Sequence, residues 1–339
     1  APRALLRVLP LFSLGTATAS AVWMERDAAR ASVVGVAALV GWAIVVVAAS
    51  IVRRVDDRDR DGAASRRHRF ARFFALLVSQ TVLQQALAFP LPFFVRATTS
   101  TSGWPAPAHV PFLTAYAAAL VVVAWDPAWA AALRRPALVM TLQAFAAFVA
   151  LVVALPMLGV AIATSAAIAG AVVAVAVVAA AVLAGAVKAG DGAPAQRRGA
   201  RTLLLGAVAA VIAAVAVAGT RFVPPAPLSL GSATFAVDVV QREPVGPAST
   251  FVAPAVLWCH SAIRAPLGLR DQLVHVWRRD GREVARVPLD VAGGPRAGGF
   301  RTWSRLRAPP PGRWQCRVET ALGQVVGVTT ARVIAAPAR

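Results

Sequence analysis

Lysine is almost missing from this chain: among 35 basic residues only Lys188 is not an arginine. Carboxylates are scarce as well, 15 in 339 residues, which leaves a formal net charge of +20. There are two cysteines and four histidines, without the spacing of the usual zinc ligand sets, so no metal is expected. Catalytic signatures are also lacking. The chain has no G-x-S-x-G, no H-E-x-x-H, no Walker loop and no glycine fingerprint after a strand. The seven carboxylates beyond Leu228 show no acid–base spacing. No cofactor is therefore expected, and a binding role is favoured over an enzymatic one without excluding it. Nucleic acid is not an expected partner either, because neither a recognition helix nor a ribonucleoprotein motif accompanies the basic charge.

Apolar residues are abundant instead, at 58% of the chain with a mean hydropathy of +0.66. Soluble proteins hold roughly 45–50%. Most of this apolarity precedes residue 224, and Leu203–Val223, followed by Pro224, Pro225 and Pro227, reads as a last membrane-spanning helix. The other runs near spanning length are Val8–Met24, Ala31–Val52, Phe73–Val95, Val110–Trp125, Ala137–Leu155 and Val160–Val187, so seven spans are expected. The opening residues also fit a signal peptide, and both readings stand.

Arginine-rich connections alternate with arginine-poor ones. Arg3 and Arg7, the eight arginines of Arg53–Arg72, Arg134-Arg135 and Lys188–Arg201 alternate with segments holding Arg26 and Arg30, then Arg96, then none near Pro156. Short basic loops stay on the cytoplasmic side, so the N-terminus is expected inside and the C-terminal part outside the membrane. Gln80, Gln84, Gln85 and Gln143 are the main polar residues within the spans, suited to interhelical hydrogen bonds or to a polar pathway. Asp57–Gly62 is a D-x-D-x-D-G, but His68 stands where a calcium loop needs glutamate, which favours a solvated loop.

Beyond Leu228 the period changes to two. Thr234–Gln241, Ala255–Ile263, Gln272–Arg279, Glu283–Val291, Gly299–Leu306, Trp314–Thr320 and Gln324–Ile334 read as strands, with Asp280-Gly281 as a hairpin turn. That is the pattern of an immunoglobulin-like β-sandwich. The expected organisation is an α-helical transmembrane bundle over 1–223, a proline-rich linker over 224–229 and an extracytoplasmic sandwich over 230–339.

Cys259 and Cys316 flank Trp277 in the order of an antibody-type inter-sheet disulfide; two buried thiols are the other reading. Arg301, Trp303 and Arg305 share one strand face, and with His275 and Trp277 they are candidates for binding a sugar or an anionic polymer by stacking. The rival reading makes Trp303 core, with the arginines lying along it. A second candidate site, at the outer membrane face, comprises Arg96, Thr98, Thr99, Trp104 and His109.

His275-x-Trp277, Asp280-Gly281, Gly299-Phe300-Arg301-Thr302-Trp303-Ser304, Pro311-Gly312-Arg313-Trp314 and Gly323-Gln324-x-x-Gly327 resemble the bacterial domain-of-unknown-function family 2914. Phe89-Pro90-Leu91-Pro92-Phe93-Phe94, Thr98, Thr99, Trp104 and Asp126-Pro127 are similar to the region that precedes this module in many bacterial proteins. The resemblance implies an inner-membrane protein and no particular activity; Cys259 and Cys316 lie outside its pattern. The expected function is display of a binding or scaffolding sandwich outside the cytoplasmic membrane, in contact with lipid and with an envelope protein or glycan. The alternative is a membrane enzyme or transporter acting on a lipid-linked or envelope substrate.

Overall fold

The computed structural model describes residues 66–99, 107–133, 135–186, 207, 210, 211, 214–294 and 298–336. The chain forms two compact units. One comprises Ala1–Pro92, Thr114–Ala154 and Ala166–Ala218; the other comprises Phe93–Leu113, Leu155–Ser165 and Gly219–Arg339.

The helices are α1 (Arg66–Ala88), α2 (Leu91–Thr99), α3 (Val110–Ala124), α4 (Asp126–Leu133), α5 (Pro136–Met157) and α6 (Ile162–Ala186). Inside the first unit, Gln80 and Gln84 serve as interhelical glue. Val123 stands four residues before Pro127, which has no N–H to donate to it. The Nε2 atoms of Gln80 and Gln84 donate to that carbonyl instead, at 3.1 and 3.0 Å. In the other direction, the Tyr116 hydroxyl of α3 donates to the carbonyl of Leu87 in the last turn of α1. Each helix end thus has orphan carbonyls met by its neighbour's side chains.

The seven-span bundle is corrected by these elements. Among the described residues two helical stretches, Pro107–Ala124 and Ala137–Met157, are long and apolar enough to cross a membrane, by length and composition. The expected span Phe73–Val95 is interrupted at Phe89-Pro90, because proline cannot carry the α1 ladder into α2. The expected span Val160–Val187 coincides with α6, Ile162–Ala186, whose apolar stretch is counted over Ile162–Val178. Val8–Met24, Ala31–Val52, the loop Asp57–Gly62 and residues 203–206, 208, 209, 212 and 213 of the expected last span lie outside the described residues.

In the second unit ten strands follow: β1 (Ser229–Ala236), β2 (Asp238–Val240), β3 (Glu243–Val245), β4 (Thr250–Val252), β5 (Val256–Arg264), β6 (Arg270–Arg279), β7 (Arg282–Ala292), β8 (Phe300–Arg307), β9 (Gly312–Thr320) and β10 (Val325–Ile334). One sheet has the order β1-β5-β8 and the other β4-β10-β9-β6-β7, while β2 and β3 form a separate hairpin. Strands β1, β5 and β8 take the places of A, B and E in an immunoglobulin-type sandwich, and β10, β9, β6 and β7 those of G, F, C and C′. Asp280 and Gly281 both have positive φ, 48° and 84°, as the two-residue turn between β6 and β7 requires.

Alternation fills the space between the sheets. Phe235, Leu257, Cys259, Trp277, Trp314 and Cys316 make one core cluster. Leu228, Leu230, Ile263, Leu273, Val318 and Val326 make a second, and Ile162 from the start of α6 belongs to it.

That last residue shows how the helical turn 155–165 is seated. Helix α5 ends in a Schellman motif: Val160 N–H donates to Leu155 O, Gly159 N–H donates to Pro156 O, and Gly159 has φ +84°. A Cβ on Gly159 would lie 3.3 Å from the Gly268 carbonyl, so the loop before β6 passes close against this turn. Three residues after Gly159, the Ile162 N–H donates to Asp271 Oδ2 of β6 at 2.8 Å. A strand carboxylate thereby caps the first turn of a helix, where an unpaired donor and the positive end of the helix dipole meet it.

Residues 224–229 are not an exposed tether. Val223, Pro224, Pro225, Ala226 and Leu228 are buried, and β1 already begins at Ser229. Gln324 Nε2 donates to the carbonyls of Thr220 and Val223 at 3.0 and 3.1 Å, and its Oε1 accepts from Thr320 at 3.0 Å. The expected boundary thus falls inside packed structure.

Asp271→Ala leaves the Ile162 N–H buried without its acceptor. A loss of about 1 kcal/mol is expected, seen as a lower unfolding midpoint of the purified protein, with Asp271→Asn falling between. An unchanged midpoint for Asp271→Ala would contradict the capping role.

Candidate functional site

The five residues first grouped as one binding candidate separate into two environments. On β8, Arg301, Trp303 and Arg305 point outward while Thr302 and Ser304 are buried. On β6, His275 and Trp277 point inward and are wholly buried. The reason is the pleat: odd positions face solvent on β8 and face the core on β6.

The inner group is a polar chain between the sheets. His275 Nε2 meets Ser261 Oγ at 2.8 Å and His275 Nδ1 meets Ser304 Oγ at 2.8 Å. Ser261 continues to Thr302 Oγ1 at 2.9 Å, and Trp277 Nε1 donates to Ser304 Oγ at 2.9 Å. Every polar atom of His275 is satisfied by a hydroxyl, as a buried imidazole requires. Burial, and to a lesser degree His260, pushes its pKa down to about 3. Ser261 and His275 have the separation of a nucleophile and its base. They lie fully buried, however, and no carboxylate orients the imidazole.

The disulfide Cys259–Cys316 joins β5 to β9 across the sandwich, with Cα atoms 6.5 Å apart. Trp277 packs beside it, and Trp314 meets Trp277 edge-on at 6.2 Å. Trp314 stands two residues before Cys316 and its Nε1 donates to Pro310 O at 2.9 Å. That is the place and the bond of the tyrosine corner in immunoglobulin domains, filled by an indole. Ligand atoms of Cys259, Cys316 and His275 lie within 4.8 Å of one another. With the sulfurs bonded to each other, this cluster has no thiolate to offer an ion, and His275 already holds two hydroxyls.

The outer group is larger than expected. Opposite β8, the outward residues of β5 are Val256, Trp258, His260, Ala262 and Arg264, paired with Arg307, Arg305, Trp303 and Arg301 for the first four. The Arg305 guanidinium lies 5.3 Å from the centre of the Trp258 ring. The β2–β3 hairpin covers the β5 side: Arg242 O accepts from His260 Nε2 at 3.0 Å, and Glu243 Oε1 pairs with Arg301 Nη2 at 2.6 Å. His260 is 2% exposed, and its Nδ1 has no hydrogen-bond partner. Burial lowers its pKa, against the opposing pull of the Arg242 carbonyl and Glu243. Trp303 stays 37% exposed. Trp258 and Arg307 were absent from the expected set. Arg307 continues the every-second-residue row, and Trp258 alternates with Cys259, so both were within reach of the same periodicity.

Of the second candidate site, three side chains are described. Arg96 is exposed on α2, whereas His109 is buried in a turn of 3₁₀ helix, Pro107–His109, with Nε2 unpartnered. The Thr98 hydroxyl donates to Phe94 O and Val95 O of its own helix, at 2.9 and 3.0 Å. The Thr99 side chain and Trp104 lie outside the described residues.

His275 gives the module a pH signature. The folded state binds the proton only near pH 3, whereas an unfolded imidazole binds it near 6.5. Stability is therefore complete above about pH 6.5 and falls with decreasing pH down to about 3, at up to ~1.4 kcal/mol per unit from this group. Urea midpoints measured across that window check the slope, and an NMR titration in which His275 protonates near 6.5 would refute it.

A family model described as a family of unknown function (DUF5924) matches residues 3–257. One described as a protein of unknown function (DUF2914) matches residues 270–333. No curated protein matches the chain. The first match ends within β5 and the second begins at β6, so the two divide a single sandwich between them. Residues 270–333 alone lack β1, β5 and Cys259, and expressed separately they are expected to show no cooperative unfolding, whereas a cooperative melt would mean that half a sandwich suffices. By the extent of the longer match, the chain belongs to the DUF5924 family, with a DUF2914 segment completing its C-terminal sandwich.

Proposed function

We propose that this is a bacterial integral membrane protein which holds a β-sandwich outside the cytoplasmic membrane as a binding or scaffolding module. The observation that carries the reading is which segments pack with the sandwich. Phe93–Leu113 and Leu155–Ser165 share its compact unit. These include Arg96 and Pro156, the connections whose poverty in arginine assigns them to the outer side. This grouping supports the outer side for the module without a count of spans.

Exposed apolar side chains on the helices support an anchoring role in lipid. Only 22% of the apolar stretch Pro107–Ala124 is buried, unlike the core helix of a soluble domain. Val121, Val175 and Val215 are each more than half exposed, and Trp125 is 61% exposed at the end of α3, where an amphipathic indole suits a membrane interface. The disulfide fits an oxidising compartment.

The test uses the absence of any other cysteine. With Cys259 and Cys316 bonded, Ala321→Cys places one thiol on an exposed turn of the module. A membrane-impermeant maleimide is expected to label it in intact cells. Protection until the cells are lysed would put the module in the cytoplasm and end the proposal.

A further inference from the structure

We propose that the outward strip of β8 is a binding site for an acidic polysaccharide, with Trp303 stacking on a sugar ring and Arg305 and Arg307 pairing with the carboxylates that flank it. This rests on the reading that the module lies outside the cytoplasm, where nucleic acid is not a competing polyanion.

The two sheets have the same formal net charge, +4, but the carboxylates all lie on one of them. Strands β1, β5 and β8 carry four arginines, Arg264, Arg301, Arg305 and Arg307, and no carboxylate. The opposite sheet carries eight arginines with four carboxylates. There Glu283 and Glu319 bind Arg286 at 2.7 and 3.4 Å, and Glu319 also lies 3.7 Å from Arg317. The β8 row thus meets no carboxylate of its own sheet; Glu243 of the β2–β3 hairpin pairs with Arg301, while Arg305 and Arg307 are exposed to an incoming anion.

Its spacing suits a chain. Outward side chains of a strand recur about every 6.8 Å, which sets Arg301, Trp303, Arg305 and Arg307 in a straight row. β8 is the last strand of its sheet, so this row runs along a margin while the β2–β3 hairpin covers the β5 side. A linear polymer can lie along such a strip. An indole in the row distinguishes this face from a plain cationic patch, because a pyranose ring stacks on its face where a flexible polyanion gains only charge.

Two further features point to a sugar acid. His260 stands directly across from Trp303. The Arg242 carbonyl can only accept, so Nε2 carries the ring proton and Nδ1 is a buried acceptor without a donor. A hydroxyl is the matching group. Arg301 is held by Glu243, whose side chain is 56% exposed; an incoming carboxylate competes with it for the same guanidinium.

The full-length protein in detergent, with its disulfide intact, is titrated with polygalacturonate. Micromolar binding that weakens with salt is expected. Trp303→Ala is expected to weaken it about tenfold, with Trp303→Phe keeping most of the affinity. Arg305→Ala/Arg307→Ala is expected to weaken it similarly and to flatten the salt dependence. Glu243→Gln, which removes the internal competitor, is expected to tighten it. Unchanged thermal unfolding midpoints separate these effects from misfolding. Equal binding to polyaspartate or to phosphatidylglycerol vesicles, or indifference to Trp303→Ala, would overturn the proposal as charge attraction alone. Binding in detergent does not depend on compartment, so failure here leaves the labelling result untouched, and the reverse holds as well.

Discussion

The carboxylate of Asp271 on the first amide of α6 is the contact around which the second unit is arranged. One strand residue closes a helix end, and the same stretch of backbone brings Ile162 into the sandwich core beside Leu273 and Val318. Gly159, where a Cβ would lie 3.3 Å from the Gly268 carbonyl, lets the two backbones approach closely enough for it. Without that approach the sandwich would hang on the chain alone. With it, and with Gln324 gripping the carbonyls of Thr220 and Val223, the strand module is continuous with the ends of the helices that enter its unit.

Much of the strand architecture was legible because it follows from a period of two. β5, β6, β7, β8, β9 and β10 begin and end within two residues of the runs read from alternation, and Asp280-Gly281 turns where positive φ is tolerated. β3 and β4, three residues each, are too short to show a period. The helical part was less legible. Apolarity over a window reports that a segment avoids water, not where its ladder breaks, and Pro90 decided that for Phe73–Val95. The linker misled for a related reason: proline signals an extended chain, and an extended chain is equally able to be packed and hydrogen-bonded by a neighbour such as Gln324.

Site residues divided along the same line. Trp303 and the arginines around it keep their face because an edge strand with two-residue alternation has only two faces to choose from. His275 and Trp277 look the same in sequence, an aromatic and a histidine at i and i+2, yet they line the interior. Only the pairing of β6 between β9 and β7 makes that plain. The hydroxyls that satisfy His275 come from β5 and β8, 14 and 29 residues away, and no local pattern couples them.

The margin formed by β8 has one more consequence. A strand at the end of a sheet presents unpaired amides and carbonyls, and a second copy can add to it. Three guanidinium groups along it make such an encounter repulsive, so the row of charge also keeps neighbouring molecules from zipping together into fibres.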